Sequence, residues 1–409
     1  MSILSIVLYI ELYVFVSAVL ILKTGARIDN PCFLFWLMYT VFLGLGPVVC
    51  ALYRYTPSHW CNPYVFVLLP LIFFVGGVYF FCGKKTHSTL KKNSQQQLFC
   101  TKPLSRRAVL LVFYAIGVAA GIAYIVKTGL YIFSDNFNDV RISNQSGMGP
   151  FLYLNGMLVL VLPMLFELVQ QKRFSKKIFI VLFVIAIGTF LLRGSRGLCA
   201  IPIIIVIIQF ALKRQIKPIC LLGLLLLGIL GLAFLSLLRG SLGEDANIGA
   251  YLINFFGVSF ENLARIIRAT PETLQYQYGS TFFINLAILM PGPNIDFTLW
   301  LKESLHLQYS GGGLTPTLVG DLYLNFGYCG IAIGMVIIGI LISKLNEMMQ
   351  RFDSNQVYYI YLSLTICLCI TGGISGASLT LLMNSIAYVA IVLLSSCSTY
   401  SKINHQGDG

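Results

Sequence analysis

The sequence predicts an all-α integral membrane protein that crosses the bilayer about eleven times. Three observations predict it. Of 409 residues, 57% are hydrophobic and only 11% are charged, less than half the ~25% charge of ordinary soluble domains. Apolar runs of about 20 residues recur nearly end to end, each long enough at 1.5 Å per residue to cross hydrocarbon ~30 Å thick. The net charge of +13 is distributed as a membrane topology would distribute it, without forming a basic patch.

The spans are read at 3–22, 32–52, 64–82, 108–126, 151–170, 177–192, 198–212, 218–238, 318–343, 357–371 and 377–394, within one membrane domain covering 1–409. Of the 28 Lys and Arg, 19 fall in connections that follow odd-numbered spans and nine in the others. By the positive-inside rule the odd-side connections are cytoplasmic, so the N-terminus lies outside and the C-terminus inside. On the outer side nine acidic residues balance the nine basic ones. The basic excess is therefore topological and gives no reason to expect a nucleic-acid partner.

The first span carries Glu11 and is preceded by no basic residue, so it reads as a retained helix and not a cleaved signal peptide. Glu11 itself is either held in a structural hydrogen bond or part of a proton or substrate path. The eleven cysteines show no metal spacing and mostly fall inside spans, which argues against a metal cluster or a disulfide framework.

Two outer connections are long. Residues 127–150 bring Asp135, Asn136, Asn138, Asp139, Arg141, Asn144 and Gln145 together among aromatics, a set suited to a saccharide and equally explained by loop hydrophilicity. Residues 239–317 are rich in aromatics, among them Tyr276, Tyr278, Phe282, Phe283 and Trp300. They predict a folded segment with interfacial helices at the outer leaflet.

Spans six and seven are short and are joined by Arg193-Gly194-Ser195-Arg196-Gly197. A guanidinium is always charged and offers a planar donor fork that matches phosphate oxygens, while the glycines allow a tight turn and a close approach. The turn is thus a candidate anion site, or a hairpin end whose arginines snorkel to lipid phosphates. Arg239-Gly240-Ser241 repeats the unit at the start of the large loop. Glu261, Arg265 and Arg268 share a helix face by spacing, which reads as a surface salt bridge or as further phosphate ligands. Leu263, Ile266 and Ile267 would face membrane or protein.

The stretch from Gly311 to Gly327 predicts Thr315 as N-cap and Pro316 as first helical residue of span nine. Its glycine-rich approach would leave helix N–H groups for an anion. Asp321 lies one to two turns inside, with Asn325 and Tyr328 following on its face. An acid there is costly unless paired or catalytic, so Asp321 is either a partner for an outer arginine or a general base for a sugar hydroxyl. His306 is the other candidate base in the loop.

Together these features resemble the bacterial O-antigen (oligosaccharide repeat-unit) polymerase family, the Wzy type. The carriers are the Arg193–Gly197 turn, the Arg141 segment, the stretch from Gly311 to Gly330, and a large outer loop in the C-terminal half of a chain of about a dozen spans. The resemblance implies a GT-C-like, metal-independent, cofactor-free glycosyltransferase in the inner membrane. It would join undecaprenyl-pyrophosphate-linked repeat units, as donor and acceptor, into an O-antigen or capsule at the outer face, with a chain-length regulator as a further candidate partner. Arg193 and Arg196 match the family's arginine turn; Arg141 and Asp321 lie in similar segments. On position, Arg239, Arg265 and Arg268 are added as pyrophosphate ligands, Arg141 and Asn325 as sugar ligands, and Asp321 and His306 as catalytic groups. A lipid-linked oligosaccharide flippase or an O-antigen ligase are the rival readings.

Overall fold

A computed structural model describes residues 3–53, 60–82, 103–130, 148–213, 248–286, 296–309, 312–352 and 355–404. Among these residues all regular structure is helical. The helices are α1 (Ile3–Thr24), α2 (Pro31–Tyr39), α3 (Gly46–Tyr53), α4 (Leu69–Cys82), α5 (Pro103–Thr128), α6 (Gly149–Gly156) and α7 (Leu158–Gln170). They continue with α8 (Lys176–Leu192), α9 (Arg196–Lys213), α10 (Ile248–Ala269), α11 (Thr281–Ile284), α12 (Phe297–Ser304), α13 (Leu318–Arg351) and α14 (Gln356–Asn404).

Among the described residues, seven helical stretches are long and apolar enough to cross a membrane: Leu4–Thr24, Pro31–Tyr53, Tyr64–Phe81, Arg106–Thr128, Gly149–Gln170, Leu318–Arg351 and Gln356–Ser395. The predicted spans six and seven correspond to the shorter α8 and α9, and the predicted span at 218–238 lies outside the described residues. The chain divides into two compact units.

The first unit comprises Met1–Lys85, Arg214–Gln350 and Leu362–Leu379. Asn30 caps α2 by accepting from the Cys32 N–H, with Pro31 at the position where a missing N–H costs nothing. Between α2 and α3 one wide π turn, Thr40–Gly44, interrupts the apolar run. Two tyrosines of α1 meet that turn: Tyr9 donates to the Gly44 carbonyl at 2.9 Å, and the Tyr13 hydroxyl lies 2.9 Å from that of Thr40. A side chain at Gly44 would collide with the Tyr13 ring. Small residues also set the crossing of α4 with α13, where Gly77 lies against the Val336 backbone and Gly339 against that of Phe74, the close approach that only glycine permits between membrane helices.

Span nine is not one helix. The backbone of α13 leaves helical geometry at Phe326 and Gly327, the latter at φ 60°. The arm before the break folds back on the arm after it, because Leu322 packs on Gly330 and Gly334. Tyr328, expected on the face of Asp321, therefore belongs to a different arm. The cap differs too: Thr317 and not Thr315 is the N-cap, its hydroxyl accepting from Gly320 N–H at 3.1 Å. Thr315 instead accepts from Asn262 of α10 at 3.1 Å.

Helix α14 also doubles back, at Gly373 with φ 72°. Tyr361 donates to the Thr380 carbonyl, Tyr358 meets Ser385, and the Tyr388 hydroxyl donates to Asn355. Pairs whose separation widens symmetrically about one point define antiparallel arms, and these arms coincide with predicted spans ten and eleven.

The described part of residues 239–317 is helical and packs through several of its aromatics. Phe260 of α10 packs on Gly46 and Phe255 on Phe42, which docks α10 against the second span. Leu263 and Ile266 are fully buried and cover Gly320. Ile266, Leu274, Phe297, Leu301, Leu314 and Leu324 form one buried cluster, and Asp296 caps α12 through the N–H groups of Thr298 and Leu299.

The second unit comprises Thr86–Lys213, Arg351–Tyr361 and Thr380–Gly409. Its α7 is buried on nearly every side. Glu167, in the last turn of α7, is paired with Arg106 of α5 at 3.0 Å and accepts from Gln171 at 3.0 Å. A carboxylate among apolar helices is tolerable when both a cation and a donor meet it.

Candidate functional site

Among the described residues, each unit holds a polar cluster built around a residue that the sequence analysis singled out.

In the second unit, α8 ends at the Arg193–Gly197 turn. Gly194 adopts φ 77°, and its N–H reaches the Leu191 carbonyl at 2.8 Å while the Ser195 N–H reaches Phe190 at 3.0 Å. This is the Schellman closure of a helix end, which needs a glycine at the left-handed position. Gly197 has another role from the one expected: it lies in the first turn of α9, with open space where a β-carbon would be. Arg193 is the C-cap, and its Nη1 donates to the Leu152 carbonyl and to Asn155 Oδ1, both at 3.1 Å. Its guanidinium also stands 5.9 Å from the Tyr124 ring centre.

Asn155 holds this arrangement. It is fully buried, and its amide donates to the Gly117 carbonyl and the Thr189 hydroxyl at 3.1 Å each. One side chain thus ties α5, α6 and α8 to the cation. The sequence signal was a lone Asn within an apolar span, which is costly unless satisfied. Arg196 is the first residue of α9.

In the first unit the centre is Asp321, fully buried. Its Oδ1 accepts from Thr281 Oγ1 at 3.0 Å and Asn325 Nδ2 at 3.1 Å, and its Oδ2 from Ser375 N–H at 3.0 Å and Ser375 Oγ at 3.1 Å. Asn325, also fully buried, donates to Thr281 Oγ1 at 2.6 Å and accepts from Gly279 N–H at 2.7 Å. The expected pairing of Asp321 and Asn325 at one turn's separation is present, but both point into the protein. Thr281, Ser375 and Gly373 escaped the sequence reading, because hydroxyls and glycines in apolar runs are too common to single out. A β-carbon at Gly373 would meet Asp321 Oδ2 at 2.7 Å, so the close approach requires glycine.

In the approach to span nine, Gly313 and Leu314 pack against α12. Gly313 passes against the Thr298 backbone, and Leu314 N–H donates to the Thr298 carbonyl at 2.9 Å. The first free N–H groups of α13 are taken by Thr317 itself.

On α10, Arg265 is half-buried and lowers the Tyr309 phenol, which burial holds above its ordinary value. Arg268 is exposed and its Nε donates to the Trp60 carbonyl at 3.3 Å. Burial pushes the nearby Cys61 thiol up, and the Arg268 charge works against that shift. His306 is exposed just after α12, with φ 53°. Arg141 and Arg239 lie outside the described residues. Among the described residues no group of three or more His, Cys, Asp or Glu is placed to hold a metal ion.

The class defined so far is a polytopic helical membrane protein with arginines and buried amide and carboxylate knots at helix ends. A family model described as O-antigen polysaccharide polymerase Wzy matches residues 1–402, and the chain belongs to that family. Family membership makes it a membrane-embedded glycosyltransferase-type polymerase of O-antigen repeat units, acting on lipid-linked oligosaccharides. No curated protein and no solved structure matches the chain.

Proposed function

We propose that the protein transfers a growing glycan from its undecaprenyl pyrophosphate carrier to a new lipid-linked repeat unit, at the outer face of the inner membrane and without a metal. In this reaction the bond from the donor's anomeric carbon to pyrophosphate breaks, a bond from that carbon to an acceptor hydroxyl oxygen forms, and the hydroxyl proton passes to a base. Negative charge gathers on the departing diphosphate, where fixed cations lower the barrier most.

The observation that carries the proposal is the fixed position of Arg193, anchored by Leu152, Asn155 and Tyr124 at a helix end beside the N-terminus of α9. A helix N-terminus and an arginine together suit a diphosphate. Arg196 completes the pair in this reading, and Arg141 serves the sugar; Arg239, Arg265 and Arg268 belong to the other unit and are given no part in it. With both oxygens of Asp321 occupied, its role in this account is positioning. A chain-length regulator is the partner this chemistry would need to set polymer size.

Complementation tests the reading. In a polymerase-null strain, the Arg193→Ala/Arg196→Ala double variant, present in membranes at parental level, is expected to yield only single-repeat glycans. A full ladder from that variant overturns the arginine assignment.

A further inference from the structure

The break in α13 gathers aromatic rings that the pyrophosphate chemistry does not use. Where the arm before the break ends, its last carbonyls would lack partners. Gln277 N–H donates to Leu324 and Tyr278 N–H to Asn325, at 3.0 and 3.2 Å. That pairing lays the segment after α10 alongside Phe326–Tyr328 and fixes its rings there. Behind them, Tyr276 and Phe66 back the surface: Phe66 stacks on Tyr328 with centroids 5.7 Å apart, and Tyr276 Oη lies 3.2 Å from where a β-carbon of Gly327 would stand.

The outward rings are Tyr278, Phe283, Tyr328 and Phe326, exposed by 78, 65, 57 and 45%. Tyr278 reaches this position at φ 48°, a left-handed conformation that is costly for a bulky residue and persists only where neighbouring bonds enforce it. The backbone is therefore held in strain with its most exposed ring facing outward. Two of the four rings are tyrosines, each joining a ring face to a phenol oxygen, unlike an aliphatic lipid-facing stripe. A pyranose has the complementary make-up: an apolar face of C–H bonds that stacks on a ring, and a rim of hydroxyls that a phenol can meet.

We infer that this aromatic shelf beside Gly327 is a glycan subsite, on which sugar rings of a repeat unit stack against Tyr278 and Tyr328. The inference rests on the polymerase reading and extends it to residues outside the arginine turn.

The test uses full-length protein in lipid nanodiscs and, as probe, the host strain's repeat-unit oligosaccharide released from its carrier, followed by saturation-transfer NMR. Parental protein is expected to saturate sugar C–H protons. The Tyr278→Ala/Tyr328→Ala variant is expected to weaken the apparent Kd roughly tenfold or more, while Tyr328→Phe retains stacking and most of the binding. A monodisperse double variant that binds like the parent overturns the inference. A Tyr278→Trp variant separates the lipid alternative: quenching by brominated lipid, with no response to oligosaccharide, makes the shelf a membrane anchor and overturns it as well. Because the probe carries no pyrophosphate, the two readings fail separately. Full ladders from the arginine double variant sink the leaving-group account and leave the shelf measurement intact.

Discussion

Asp321 shows how an ionisable side chain persists in an apolar helix. It receives four hydrogen bonds from three separate segments, and one of its donors is the backbone N–H of Ser375, at the start of the second arm of α14. Replacing it with Ala would strand those donors in a dry site, at about 1–3 kcal/mol for each one left unsatisfied. Asp321→Ala is therefore expected to lower the melting temperature of the detergent-solubilised protein sharply. Asp321→Asn, which keeps shape and one acceptor, should fall between that variant and the parent. An Asn variant as stable as the parent but without turnover would return the carboxylate to a catalytic role. At the other knot, Arg193→Lys tests geometry at constant charge. A lysine lacks the planar guanidinium whose donor geometry matches phosphate oxygens, so turnover should fall roughly tenfold or more with expression unchanged.

At the level of elements, the sequence was legible where apolar length carries the information. The first five predicted spans lie on helices, and the described part of residues 239–317 buries Phe297 beside Leu301 and Leu314. The reversals were less legible. Gly327 sits inside a single predicted span, 318–343, so span length cannot distinguish a helix that continues from one that turns back. Gly373 lay in the gap between two predicted spans, where a turn was already expected. The cap at Thr317 was misplaced by two residues because the Thr315-Pro316 pair also satisfies the usual rule. What decided between them was Asn262 on a distant helix, which engages Thr315. Side chains at the reversals give the sharpest expectation. Gly373→Ala would combine a left-handed backbone with a clash against Pro316 and Asp321, and should destabilise by more than the ~1 kcal/mol typical of a helical glycine site. Thermal unfolding in detergent measures it, and a neutral result would mean that the arms of α14 do not reverse there.

For the whole molecule, the distribution of charge and the family assignment bear on the same point. The connections that follow odd-numbered predicted spans hold 19 of the 28 basic residues, and the orientation proposed from that excess puts the Arg193–Gly197 turn on the outer side. A cysteine placed at Ser195 should accordingly react with a membrane-impermeant maleimide in intact spheroplasts, and protection until lysis would invert the topology. Arginines on that side would then meet carrier-linked pyrophosphate after the repeat units have been delivered across the membrane. The central claim is that guanidinium groups, and no divalent ion, stabilise the departing diphosphate. Its most direct test is polymerisation by purified protein in proteoliposomes supplied with lipid-linked repeat units and excess chelator. The account predicts a ladder of the same length and rate as with magnesium present; a ladder abolished by chelation and restored by a divalent cation would contradict it.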